Sequence, residues 1–387
     1  MTMKRNKLLL LAMALGLLSW TASAQMRGVA GLWQRLCGPN PKLDSVYIFQ
    51  PYKSWGGGLV YEMSENGVGI DSREEVYSDP LHAVFDYQLR MNTRLASSLG
   101  ASVAFGPVLL CFLREVGPGA GKNRAFSFRW DANFFGLNVQ YAKYFAVPGG
   151  TMFIDILAPE EQAKKGEGIP VDTDHVAETK SWIVSGIYAF NRHRFSYRAA
   201  YNSRSMQRRT AGSWIVAARY TYGMTVMDPT DATLLLLTNG LGRFTTHQAS
   251  VGAGYSFNWV PYHRDAVGPK DLRGLRNLTV NLTAAPMLTF YSKVIEEDYA
   301  HASLFTFKDE IDHRFVNLGR VYPNFIARAG ICYSFGHFFV NAWGEYTSFA
   351  FRSNPVEHAY ETGNRYILSQ NGVFSSWSVR LQLNYRF

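Results

Sequence analysis

The chain has 387 residues, a formal net charge of +9 and 15% aromatic residues, but only 18% are charged. That aromatic content excludes a disordered protein, and the charged fraction falls below the usual quarter of a soluble domain. Mean hydropathy is −0.12, and after residue 25 no run of 18 apolar residues occurs, which excludes a membrane-spanning helix.

The first residues predict a secretory leader. Lys4, Arg5 and Lys7 form a basic start, Leu8 to Leu18 is apolar, and Ala22-Ser23-Ala24 is a small-residue cleavage site. The expected division is a signal peptide over 1–24, a short periplasmic segment over 25–56 and a membrane domain over 57–387. A lipoprotein would need Cys directly after the cleavage site, where Gln25 stands, so that reading is set aside. Cys37, Cys111 and Cys332 are the three cysteines. An odd number without CxxC gives neither a disulfide framework nor a zinc site; one pair and three free thiols both stay open.

From there the apolar residues recur at period 2, the mark of strands with one apolar face. Ala83, Phe85, Tyr87 and Leu89 alternate with Val84, Asp86, Gln88 and Arg90. Trp214, Val216, Ala218 and Tyr220 alternate with Ser213, Ile215, Ala217 and Arg219. Val251, Ala253, Tyr255, Phe257 and Trp259 oppose Ser250, Gly252, Gly254, Ser256 and Asn258. The clearest run comes last. Trp377, Val379, Leu381, Leu383, Tyr385 and Phe387 share one face, and Ser378, Arg380, Gln382, Asn384 and Arg386 share the other. Such strands suit a transmembrane β-barrel, apolar toward lipid and polar toward a lumen. Tyr385, Trp259 and Trp377 fit interfacial girdles. The C-terminal aromatic Phe387 resembles an outer-membrane assembly signal.

Twelve antiparallel strands are expected, in preference to ten or fourteen: 57–71, 81–92, 98–112, 123–132, 135–146, 181–190, 211–227, 243–259, 274–291, 321–334, 337–352 and 372–387. With both termini periplasmic, the turns fall at 93–97, 133–134, 191–210, 260–273 and 335–336. Two very short connections then lie on the periplasmic side, and the two longest loops, 147–180 and 292–320, lie outside, as bacterial barrels require. The segment 191–210 is long for a periplasmic turn. It carries six Arg (Arg192, Arg194, Arg198, Arg204, Arg208 and Arg209) and no acid. It is expected to form a constriction at the periplasmic mouth or inside the lumen; an ordinary solvated loop is the other reading.

Three stretches resemble one family. Tyr188-Ala-Phe-Asn-Arg-His-Arg-Phe-Ser-Tyr-Arg-Ala-Ala-Tyr201, followed by Gln207-Arg-Arg-Thr-Ala-Gly-Ser213, is similar to its most recognisable block. Asp44-Ser-Val-Tyr-Ile48 resembles its opening motif, and Gly254-Tyr-Ser-Phe-Asn-Trp-Val260 a later strand. The family is domain of unknown function 4421 of Bacteroidota, and the resemblance runs from Asp44 to Phe387. Arg198 and Thr210 stand where the family pattern leads to Pro and Ser. The resemblance implies an outer-membrane barrel of a Gram-negative bacterium and carries no activity or site residues.

The expected lumen ionisables are Glu62, Asp86, Arg90, Arg129, Asp131, Arg219, Arg328, Glu345, Arg380 and Arg386. Arg outnumbers acid, so a narrow passive channel for small solutes or ions, weakly favouring anions, is the first functional expectation. A non-enzymatic structural or envelope-assembly barrel is the second. A lipid-modifying enzyme ranks last: the nearest candidate pair, His247 and Ser250, falls on opposite faces at period 2. Gly117-Pro-Gly-Ala-Gly-Lys-Asn123 departs from a phosphate loop at both ends and reads as a hairpin loop. Outer-membrane lipid, lipopolysaccharide and the barrel-assembly machinery are the expected contacts. No cofactor, metal or nucleic acid is expected.

Overall fold

The computed structural model describes residues 43–51, 55–78, 81–92, 95–105, 108–117, 124–131, 135–145, 150–157, 169–171, 177–201, 205–229, 235, 241–303, 306–319, 321–352, 356–359 and 365–387. The expected leader over 1–24, Cys37 and Arg204 lie outside them, as do the side chains of Asp86, Arg90 and Asp131.

Among the described residues the chain forms a closed antiparallel barrel of twelve wall strands. β1 is Trp55–Ser78. β2 descends as Leu81–Asn92 and continues as Ala96–Phe105. β3 is Val108–Glu115, β4 Arg124–Asp131, β5 Phe135–Phe145 and β6 Ala177–Ala189. β7 is Ala211–Met227, β8 Leu241–Arg264, β9 Arg276–Ser303, β10 Tyr322–Phe335, β11 Phe338–Arg352 and β12 Arg365–Arg386. Each pairs with the next, and β12 closes on β1 from Arg386↔Gly56 to Arg365↔Tyr77. Closure leaves no unpaired edge, which a wall surrounded by lipid requires.

The wall is the inverse of a soluble fold. Along the end of β12, Val379, Leu381 and Leu383 are 47–49% exposed, while Arg380, Gln382, Asn384 and Arg386 are at most 5% exposed. On β9, Leu282, Leu288 and Phe290 face out; Asn277, Thr279, Asn281 and Thr283 are buried inside. Period 2 dictates this separation, since successive side chains leave a strand on opposite faces.

The expected total of twelve holds, but one boundary moves. Residues 98–112 are two strands, not one. Phe105 pairs with Val108, so the chain reverses at 106–107. The sequence there is Gly106-Pro107, and proline has no N–H to donate to a continuing ladder. Of the expected turn at 93–97, residues 93–94 lie outside the described residues and Ala96 and Ser97 belong to β2: Gly67 pairs with Asn92 and Ser64 with Ala96, so four steps along β2 match three on β1. The two errors compensate, leaving the number and direction of the later strands unchanged.

One end of the barrel has short turns, including Gly336 at φ +57° between β10 and β11. At the other end strands run past the wall as ribbons. Leu81–Asn92 also pairs with Gly150–Leu157, and Thr306–Leu318 folds back on the end of β9. The expected loops 72–80 and 292–320 are therefore largely strand.

Candidate functional site

The barrel's interior is built in layers, beginning at the turn end with the segment between β6 and β7. It turns inward, and Phe195 through Tyr201 are 0–5% exposed. A short 3-10 turn, Tyr197–Ala200, starts it, and Ser205, Met206 and Gln207 finish it, each at most 1% exposed. The segment carries its own hydrogen bonds. Gln207 Oε1 accepts from the Ser196 N–H at 2.9 Å, Gln207 Nε2 donates to the Arg194 carbonyl at 2.6 Å, and Arg198 Nε donates to Ser205 Oγ at 2.9 Å. Irregular backbone is tolerated at this depth because every such bond is made against protein.

Asparagines of the wall hold it in place. Asn258 Nδ2 donates to the Ser196 carbonyl at 2.8 Å, Asn277 Nδ2 to the Gln207 carbonyl at 2.8 Å, and Asn341 Nδ2 to the Tyr201 carbonyl at 2.9 Å. Tyr201 donates its hydroxyl to Asn281 Oδ1. Phe195, Tyr197 and Tyr201 pack on Ile187, Ile215, Met287, Ile326 and Trp343. Outside this plug, Ile48–Phe49 pairs with Met206–Gln207 as a two-stranded sheet, and Arg208 binds both the Ser45 carbonyl and Asp265.

The five described Arg of this segment do not share one environment. Arg192, Arg194 and Arg209 are exposed, Arg198 is buried within the plug, and Arg208 is half-buried at its outer edge. Phe195, Tyr197 and Tyr201 fill the bore here together with the buried Arg198.

Behind the plug lies the charged layer. Glu345 receives Arg219 at 2.9 Å on one carboxylate oxygen and Arg328 on the other. Arg380 Nε donates to Glu62 at 2.6 Å. Arg129, Arg328 and Arg380 place their guanidinium carbons 5.0, 5.7 and 4.9 Å from the centre of the Trp343 ring, within cation–π range. Three Arg thus flank one Trp, and with Arg219 the layer holds four Arg against two Glu, an excess of two positive charges among its described side chains. Arg386 lies nearer the turn end, bonded to the Gly336 carbonyl and Ser334.

The structure brings Arg129, Arg219, Arg328, Arg380, Glu62 and Glu345 together. Trp343, Tyr197, Tyr201 and the wall asparagines were missed as a constellation. Their signal was available: Asn258, Asn277 and Asn281 all fall on the inward parity. His247 and Ser250 are apart, with His247 beside the Tyr220 hydroxyl at 2.8 Å on the outer side and Ser250 bonded inside to Thr289. Cys111 and Cys332 are free and buried.

Known sequences and folds place this lumen in context. The profile of a domain of unknown function, DUF4421, matches residues 42–387. The chain belongs to the DUF4421 family. No curated protein matches it. This DUF4421 barrel is similar to the outer membrane protease OmpT of Escherichia coli, with 7% identity, a TM-score of 0.34 and coverage of 85% of this chain and 97% of OmpT. It is similar to the Pseudomonas putida toluene transporter TodX at 9% identity and a TM-score of 0.19, covering 82% and 89% of the two chains. For OccK9 of Pseudomonas aeruginosa the values are 6%, 0.14, 84% and 98%.

Proposed function

We propose that this DUF4421 protein is a narrow passive channel of a Gram-negative outer membrane, gated by the 195–207 segment and favouring small anions. The apolar outer wall supports a lipid setting. The observation that carries the channel reading is the layer of four Arg and two Glu across a polar lumen. A net positive, partly desolvated constriction attracts anions and repels cations. The plug is attached through side-chain hydrogen bonds rather than as part of the wall ladder, so it can move without breaking the barrel. Phe387, whose N–H donates to the Trp55 carbonyl beside the closing seam, serves assembly in this reading.

Planar-bilayer recording tests it. The native protein should give small, infrequent conductance steps. Tyr201→Ala, which removes the anchor to Asn281 and the contact with Trp343, should give frequent and larger steps. The reversal potential in a salt gradient should show anion preference. Silence from both folded proteins would sink the channel reading. It would favour a closed structural barrel, which the deep burial of the plug already suits.

A further inference from the structure

Between the charged layer and the loop end the lumen holds a cavity of different chemistry. Of its 25 lining residues, ten are Ser or Thr. The charged ones are Glu62 and Arg380, which are paired with each other. Gln248 projects into the cavity at 3% exposure, and its Nε2 has no hydrogen-bond partner among the described residues. At the loop end Phe244 of β8 and Phe374 of β12 meet across the lumen, stacked with ring centroids 6.1 Å apart.

We propose that this cavity binds a small neutral polyhydroxylated solute of monosaccharide size. Hydroxyl side chains donate and accept alike, so a wall of them matches a ligand whose own hydroxyls do the same. Within the cavity's own lining the two charges are paired, so no unpaired charge is offered to an anion. The buried Gln248 amide is costly to leave unsatisfied and supplies a directional donor. Phe244 and Phe374 offer apolar surface for the C–H face of a sugar ring. A purely apolar solute would strand those hydroxyls without partners, and the site discriminates against it on that ground. The inference adds a solute class to the lumen but does not rest on conduction, since binding is read without a bilayer.

The test is calorimetric titration of the full-length protein in lauryldimethylamine oxide micelles, which carry no sugar headgroup. The probes are D-glucose, D-galactose and D-mannose, with inorganic phosphate and cyclohexanol as comparators. At least one hexose should bind in the millimolar range or tighter, with neither comparator binding at the same concentration. Gln248→Leu and Phe244→Ala should each weaken that binding about tenfold, the loss of one good contact. Thr246→Val is the milder variant should either fail to fold, and heat-modifiable gel mobility reports folding. Absence of hexose binding, preference for phosphate or cyclohexanol, or hexose binding unchanged in the folded variants would each overturn the proposal. Conductance is recorded separately, so a silent channel that still binds hexose leaves this site standing.

Discussion

Glu345 is the single carboxylate shared by Arg219 and Arg328. Its side chain is 9% exposed, and those of the two arginines 3% and 5%. Glu345→Gln removes the charge while keeping the shape. The amide offers one acceptor oxygen in place of two, so one of the two guanidinium groups loses its acceptor at this residue. Breaking a buried ion pair from one side costs about 3 kcal/mol, and urea unfolding of the variant in micelles should show a loss of that order. The same change raises the positive excess of the layer, so anion preference should sharpen in the reversal potential. Gly330 is a second test. A Cβ there would come within 2.8 Å of the Tyr201 ring and 3.3 Å of Trp343 Cβ. Gly330→Val should displace Tyr201 and mimic Tyr201→Ala in opening frequency, while Gly268→Ala, in the turn after β8 with nothing within 4 Å, should leave opening unchanged. Sequence alone marked the charges of this layer because parity placed them inward. It did not mark Trp343 or Tyr201, because an aromatic on an inward parity has no sequence signature that separates a stacking platform from a filler.

The elements show where the reading along the chain held and where it slipped. β7 and β12 were legible because an uninterrupted alternation fixes both face and register. β2 and β3 were not, because Gly106-Pro107 lies within an apolar stretch that reads as one continuous strand. The alternation itself shifts by one there: Leu99 and Val103 face out on β2, whereas Leu110 and Phe112 face out on β3. That phase change is the physical trace of a turn with an even number of residues. For the plug, the excess of Arg was visible but its meaning was not, since charge content does not say which way a segment folds. The contact that ties the plug to the turn end is Arg208 with Asp265, which also accepts from His263 at 2.9 Å. The His263 hydrogen bond and the Arg208 guanidinium hold the Asp265 carboxyl below its ordinary value, against a smaller opposing effect of burial. A depressed carboxylate stabilises the folded arrangement above its unfolded value and loses that contribution as pH falls through the folded one. Asp265 is largely exposed, so the pair is worth at most about 1 kcal/mol. Asp265→Asn should therefore open more often than the native channel near neutrality. Because the Asp265 carboxyl is held below its ordinary value, the difference should persist down to about pH 4 and vanish only on further acidification, where Asp265 loses its charge.

At the scale of the whole molecule, the near-neutral hydropathy has a geometric origin. Lipid-facing and lumen-facing residues alternate, so their hydropathies cancel along the chain while their positions separate completely in space. An exposed apolar surface of this extent around a closed barrel suits contact with lipid, because soluble monomers rarely show contiguous apolar patches beyond a few hundred Å². The aromatic residues at the turn end agree with this: Trp55 lies 4.3 Å from Phe105, and Phe335, Phe338, Tyr385 and Phe387 form a continuous set of ring contacts. The wall then makes a prediction that a soluble barrel would not. Leu381→Arg, on the outer face between Arg380 and Gln382, should destabilise the protein by about 2–4 kcal/mol in lipid bilayers, the cost of Arg near mid-depth. Gln140→Arg, on the inner face of β5, should leave the unfolding midpoint nearly unchanged and shift ion selectivity instead. Measured in parallel by denaturant titration in vesicles, the two substitutions place the same side chain on opposite sides of one sheet. Equal costs at the two positions would contradict a lipid-facing outer wall. A cost confined to Leu381 would fix which face meets the membrane and, through β12, the orientation of every strand paired to it.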